Sequence, residues 1–145
     1  MIYTNSDGGC RGNPGPGAVG AIVRDEGTIL TKSSKFLGKF VTNNIAEYEG
    51  LVLALELAAK VTDGDITCVL DSELIVRQLL GEYKVRNPKM LEYFLKVQKL
   101  QEKFRTIKYV HVPREDNFQK TVDGLVNDEL NSRGYFKKVQ KRKRF

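Results

Sequence analysis

Apolar residues along this chain first alternate and later recur at helical spacing, and the change of period divides the sequence into elements. Ile2 to Ser6 is short and β-prone, and it runs into a glycine- and proline-rich turn, Gly8 to Gly17. Ala18 to Arg24 and Thr28 to Lys32 flank Asp25-Glu26-Gly27, a hairpin signal in which Gly27 can supply positive φ. Ser34 to Val41 extends the second arm or adds to it, so three antiparallel strands are expected to open the domain. From Asn44 to Lys60 the period becomes helical. Ile45, Tyr48, Leu51, Val52, Leu55 and Ala58 form an apolar stripe there, behind the capping candidates Thr42 and Asn43.

Ile66 to Leu70 is a continuous apolar run that stops abruptly at Asp71-Ser72, the pattern of a fully buried, parallel strand feeding a helix. The next helix should cover Glu73 to Leu80 and end at Gly81. Pro88 starts another that runs to about Phe104, and Ile107 to Val112 reads as a strand closed by Pro113. Thr121 is expected to cap a last helix reaching about Arg133 before Gly134. The order βββαβααβα predicts an α/β fold, an α+β mixed sheet of five strands flanked by helices.

Composition sets limits on this picture. A chain of 145 residues, 41% hydrophobic, can bury one core, which we place in residues 1–136. The formal charge is +6, yet Lys137 to Phe145 holds six of the 24 basic residues and no acid, leaving a body with equal numbers of acids and bases. The excess charge therefore belongs to a basic tail, 137–145, suited to meeting a polyanion, and a uniformly basic surface is excluded. Cys10 and Cys68 are the only cysteines. Two are too few for a disulfide scaffold and are not spaced as zinc ligands, so a reduced, cytoplasmic protein is expected. No signal peptide and no membrane span are expected, and no obligate partner, so the chain should be a soluble monomer.

Four acids fall at expected element boundaries: Asp7 after the first strand, Glu47 in the first turn of the first helix, Asp71 after the buried strand and Asp123 in the first turn of the last helix. Open α/β sheets place ligands at such strand ends. Each acid also has a plainer role available. Asp71 could cap a helix, Asp123 could complement a helix dipole, and Asp7 could close an Asx turn. Glu47 is harder to explain away, because Leu51, Ala54, Leu55 and Ala58 share its face and that face points at the sheet. Should the four converge, two like charges about 4 Å apart cost about 4 kcal/mol at an effective dielectric near 20. A proton or a cation must relieve that repulsion. Oxygen donors without a Cys or His cluster favour Mg²⁺ or Mn²⁺, and a pair of such ions suits in-line displacement at a phosphodiester.

The segments Asp7 to Gly17, Thr42-Asn43-Asn44-Ile45-Ala46-Glu47-Tyr48, Leu70-Asp71-Ser72 and Val112 to Asn117 with Asp123 to Asn127 occur in one order that resembles type 1 ribonuclease H over residues 1 to about 134. The resemblance implies an RNase H-like fold. It implies hydrolysis of the RNA strand of an RNA/DNA hybrid, with Asp7, Glu47, Asp71 and Asp123 binding two Mg²⁺ ions and the products carrying 5′-phosphate and 3′-hydroxyl ends. It further implies that Cys10, Asn13, Asn43 and Asn44 meet the RNA strand and its 2′-hydroxyls, and that Thr42 faces a DNA phosphate. Local alternatives exist: Asn13 as a turn residue, Asn43 and Asn44 as helix caps.

The chain departs from the family at several points. Glu73 follows Asp71-Ser72 where the family often has Gln. Five residues separate Asn117 from Asp123, two more than is usual, which predicts a longer loop. The one histidine, His111, lies inside an expected strand and reads as structural, with Arg114 as its substitute in the loop. The basic protrusion of some relatives is reduced to Gly81 to Lys89. Among the acids near the last helix, Asp123 is expected to be the fourth ligand in preference to Asp116 and Asp128. Two other functions compete: a nucleic-acid binding module with a disabled metal site, and a nuclease of the same fold that also cuts RNA duplexes.

Overall fold

The computed structural model describes residues 1–137. The basic tail lies outside the described residues apart from Lys137. The elements are β1 (Ile2–Cys10), β2 (Gly15–Arg24), β3 (Ile29–Val41), α1 (Asn43–Ala59), β4 (Asp65–Leu70), α2 (Glu73–Leu79), α3 (Pro88–Gln101), β5 (Thr106–His111) and α4 (Asn117–Ser132). The expected order is observed. The five strands form one sheet, β3-β2-β1-β4-β5, with β1 in the middle. β1 pairs antiparallel with β2 and parallel with β4, and β4 pairs parallel with β5.

Two boundaries near the site differ from expectation. β1 runs four residues further, through Asp7 to Cys10, because Gly8, Gly9 and Cys10 pair with Val19, Ala18 and Gly17. Gly8 marks a close approach of α1 there. α4 starts at Asn117, not Thr121: Asp116 is the cap, its carboxylate accepting from the amides of Phe118 and Gln119. Thr121 lies within the helix and returns its hydroxyl to the Asn117 carbonyl. The five residues between Asn117 and Asp123 therefore lie in a helix and not in the expected longer loop. Elsewhere α3 ends at Gln101, leaving Phe104 buried in the connection. The β2–β3 turn is closed by Asp25, whose carboxylate accepts from Gly27 and Thr28 amides, and Gly27 does not use positive φ.

Side chains alternate across the sheet, so β1 presents two faces. The main core lies on the α1 face, where Tyr48, Leu51, Val52 and Leu55 of α1 meet Val23, Ile66, Leu70, Ile75 and Val97. On the other face α4 packs Val126 and Leu130 over Ala18, with Phe36 and Tyr135 at the margin. The long apolar stripe of α1 and the fully buried β4 form the expected centre of the molecule. No helix among the described residues is long and apolar enough to cross a membrane.

Candidate active site

Asp7 stands in β1, opposite Gly20 of β2, and only 7% of it is exposed. Its Oδ1 accepts the Gly8 amide at 2.9 Å, and its side chain lies within hydrogen-bond reach of Glu47. Glu47 reaches it from α1. That helix lies directly on the strand because Gly8 and Gly50 carry no side chain. A Cβ at Gly50 would sit 2.7 Å from the Asp7 carbonyl oxygen, and one at Gly8 would overlap the Ala46 carbonyl. Glu47 occupies the second turn of α1, one turn later than expected, since the helix begins at Asn43 behind Thr42. Asp71 follows β4, the parallel neighbour of β1. It does not cap α2, because Ser72 does so with its hydroxyl on the Ile75 amide. Its side chain is 8% exposed, and the Arg114 Nε lies 3.9 Å from its Oδ2.

One oxygen each from Asp7, Glu47 and Asp71 lies within 4.8 Å of the others. Asp123 is not in that trio. It sits in the second turn of α4, not the first, and lines the same cleft of about 390 Å³ with Asp7 and Glu47. Its Oδ2 accepts from Asn127 Nδ2 at 3.2 Å. Asp116 is engaged as a helix cap.

The electrostatics follow from this crowding. Burial, then the Asp71 charge, pushes the Asp7 carboxyl up to about 7, with Asp123 adding to the rise. Burial and the charges of Asp7 and Asp71 hold Glu47 well above the usual carboxylate range. Asp71 is raised by burial, against the opposing pull of Arg114. Glu47 Oε2 is shut off from solvent and has no hydrogen-bond partner, a costly state for a carboxylate oxygen. Protons can relieve this set up to about neutrality, and above it a cation must. The donors are all oxygen, so a hard divalent ion fits the trio, with the orphaned Glu47 oxygen as a ready ligand.

Four of the six expected contact residues share the cleft with the acids, and Asn13 and Thr42 do not. Cys10, Asn43, Asn44 and Arg114 line the cleft. Cys10 is half-buried, its thiol donating to the Val41 carbonyl at 2.9 Å, and burial pushes it up to about 11, so it stays protonated. Asn13 Oδ1 accepts the Asn43 amide at 3.1 Å, which joins the glycine-proline turn to the start of α1. Thr42 alone caps that helix, through Oγ1 on the Ile45 amide, so neither Asn43 nor Asn44 is used as a cap. Glu73 is paired with Arg77 at 2.8 Å on the surface. His111 is exposed at the end of β5.

Sequence reasoning missed Arg11. Its guanidinium donates to the Tyr135 carbonyl and to Asn127 and Asn131 of α4, fastening the glycine-proline turn to the helix that carries Asp123. A lone arginine in a turn gives no sign of such a partner more than a hundred residues away.

Comparison with known proteins agrees with this geometry. A family model described as reverse transcriptase-like matches residues 5–128. A bifunctional protein of Mycobacterium tuberculosis is 39% identical over 133 residues, 90% of this chain and 36% of the relative. Ribonuclease HI of Halobacterium salinarum is 36% identical, over 89% of this chain and 64% of that protein. The chain thus spans about a third of the mycobacterial relative's length. Among solved structures, a ribonuclease H1 isolated from compost, crystallised with an RNA/DNA hybrid, superposes with a TM-score of 0.84 at 40% identity, covering 92% of this chain and 99% of that one.

Proposed function

The chain belongs to the ribonuclease HI family, and on that premise we propose that it is a metal-dependent endonuclease that hydrolyses the RNA strand of RNA/DNA hybrids. The observation that carries the reading is the trio Asp7, Glu47 and Asp71, with an unpartnered Glu47 oxygen, beside a cleft lined by Cys10, Asn43, Asn44 and Arg114.

Asp7, Glu47 and Asp71 would hold the metal, with Asp123 as a fourth ligand from the opposite helix. Two Mg²⁺ ions bound there, or Mn²⁺ in their place, would supply an activated water and stabilisation of the departing oxygen, consistent with 5′-phosphate and 3′-hydroxyl ends. The protein's own groups orient the duplex. Asn13 has given its oxygen to Asn43, so its amide N–H groups remain to donate to a ribose 2′-hydroxyl. Thr42 accepts with its oxygen and keeps its O–H for a DNA phosphate. The Cys10 thiol is engaged with Val41, which leaves its sulfur surface for the RNA strand. Arg114, 88% exposed on the rim, is free to turn from Asp71 to a phosphate. The basic tail adds salt-dependent affinity, and Lys137 already borders the cleft. The chain works as a soluble cytoplasmic protein.

The test is an assay with RNA/DNA hybrid, RNA duplex and DNA duplex, each labelled on either strand, in Mg²⁺, Mn²⁺ or chelator. Cleavage of the RNA strand of the hybrid, and only with metal, is expected. Hybrid left intact in both metals would leave the binding-module reading in its place, and RNA-duplex cleavage would widen the substrate class.

A further inference from the structure

On the α4 face of the sheet, three polar side chains that the catalytic reading does not use form a continuous buried chain that ends on a backbone carbonyl. Arg24 Nε donates to Asn5 Oδ1 at 2.7 Å, Asn5 Nδ2 to Gln119 Oε1 at 2.9 Å, and Gln119 Nε2 to the Ser6 carbonyl at 3.1 Å. Asn5 and Gln119 are shut away from solvent. The direction of the chain is forced. Arginine can only donate, so Asn5 must turn its oxygen to Arg24 and its amide to Gln119, and Gln119 must then donate to Ser6. Arg24 is itself held between the rings of Tyr3 and Phe118, 4.5 and 4.0 Å from their centres.

We propose that Gln119 is a positioning residue that sets the height of Asp123 beside Asp7; the inference rests on the metal-dependent hydrolysis proposed above. Asn5, Asp7 and Gly9 share one face of β1, and α4 runs along that face in the same direction. Gln119 meets Asn5, and Val126 lies 3.6 Å from where a Cβ on Gly9 would stand. Two residues of strand advance about 6.7 Å and four residues of helix about 6 Å. A pin between positions 119 and 5 therefore brings position 123 level with position 7, where the Asp123 charge acts on Asp7.

Apolar packing alone would not choose that height. Beneath α4 the strand β2 offers Gly20, bare backbone on which the Val122 carbonyl and Leu125 Cβ rest directly. Contact by Val122, Val126 and Leu130 has no direction of its own, so it constrains that height less than directed bonds do. The bonds from Gln119 do have direction. They also reach the carbonyl of the peptide that joins Ser6 to Asp7, so one side chain ties the helix carrying one acid to the strand carrying the other.

The experiment titrates Mn²⁺ into the full chain by calorimetry for wild type, Gln119→Leu, Asp123→Asn and the double variant, with hybrid cleavage followed alongside. Gln119→Leu is expected to weaken Mn²⁺ binding at least about tenfold, as loss of a ligand's supporting group does. The double variant should bind no worse than Asp123→Asn alone, because the pin acts through that acid. Mn²⁺ binding by folded Gln119→Leu equal to wild type, or the same further loss in both backgrounds, overturns the inference. Asn5→Ser, a milder change on the strand side, carries the same comparison if Gln119→Leu does not fold. Cleavage by wild type with pin-independent Mn²⁺ binding removes the pin alone, whereas pin-dependent Mn²⁺ binding without hybrid cleavage removes the functional reading and keeps the pin.

Discussion

Two helices bring a carboxylate to Asp7 from opposite faces of the sheet, and they are held by different physics. α1 carries Glu47 and is pressed onto β1 where Gly8 and Gly50 remove the side chains between backbones, with a broad apolar stripe behind it. α4 carries Asp123 over a smaller cluster of Val126, Leu130 and Ala18, and its register depends on Gln119 and Asn5. The first attachment is intolerant of added volume, and the second of lost polarity. The acids differ accordingly, since Glu47 has a fully shielded oxygen while Asp123 is exposed.

The largest contrast should appear on removing one charge from each side. Glu47→Gln is expected to fold and to lose more than about a hundredfold in hybrid hydrolysis, beyond the effect of removing an outer partner of a metal ligand. Asp71→Asn should behave likewise, and its metal-free form should be at least as stable as wild type because a repulsion is gone. Asp123→Asn should retain more activity than either, and Asp116→Asn, whose amide oxygen can still accept from the Phe118 and Gln119 amides, should retain the most, with little loss of stability. Single-turnover cleavage and thermal melts of the four variants check this order; a larger activity loss in Asp116→Asn than in Asp123→Asn would reverse the assignment on the α4 side.

Volume is the next probe. Gly8→Ala places a methyl group against the Ala46 carbonyl and should cost about 3 kcal/mol, a fall of roughly 6–12 °C in Tm. Gly20→Ala meets the Val122 carbonyl and Leu125 Cβ at 2.8 Å, where α4 can lift, and should cost less while weakening metal binding more. Equal melting temperatures for the two variants would erase the distinction between the helices.

Legibility in the sequence followed the same division. Apolar period exposed α1, and the abrupt end of a hydrophobic run exposed β4 and Asp71, because both elements are buried by non-directional packing that leaves a periodic trace. The start of α4 was misread. Thr121 looked like a cap because a polar residue preceded an apolar repeat, yet Asp116 provides the cap and Gln119 points inward. A glutamine gives no periodic signal, and its partners Asn5 and Ser6 are more than a hundred residues away. β1 extends beyond its expected end for a related reason: Gly8 and Gly9 suggest a turn, whereas here both lie in the strand and Gly8 admits α1 to it.

A smaller effect concerns pH. The Asp7 carboxyl is raised from 3.8 to about 7, so the folded state keeps a proton that the unfolded chain releases. The resulting stability is fully present below about pH 4 and is lost as pH rises through about 7. Metal-free protein should therefore melt at progressively lower temperature across that window, with a flatter profile in Asp7→Asn. The least effect is expected at the surface: Arg77→Ala breaks exposed pairs with Glu73 and Glu82 and should change stability by less than about 1 kcal/mol.

The account's central claim is that three crowded carboxylates are held ready for a cation, and thermal unfolding near pH 8 with and without Mg²⁺ tests it most directly. Wild type should gain stability with metal, whereas Glu47→Gln should start at or above the metal-free wild type and gain little. An equal gain in both proteins would contradict the claim.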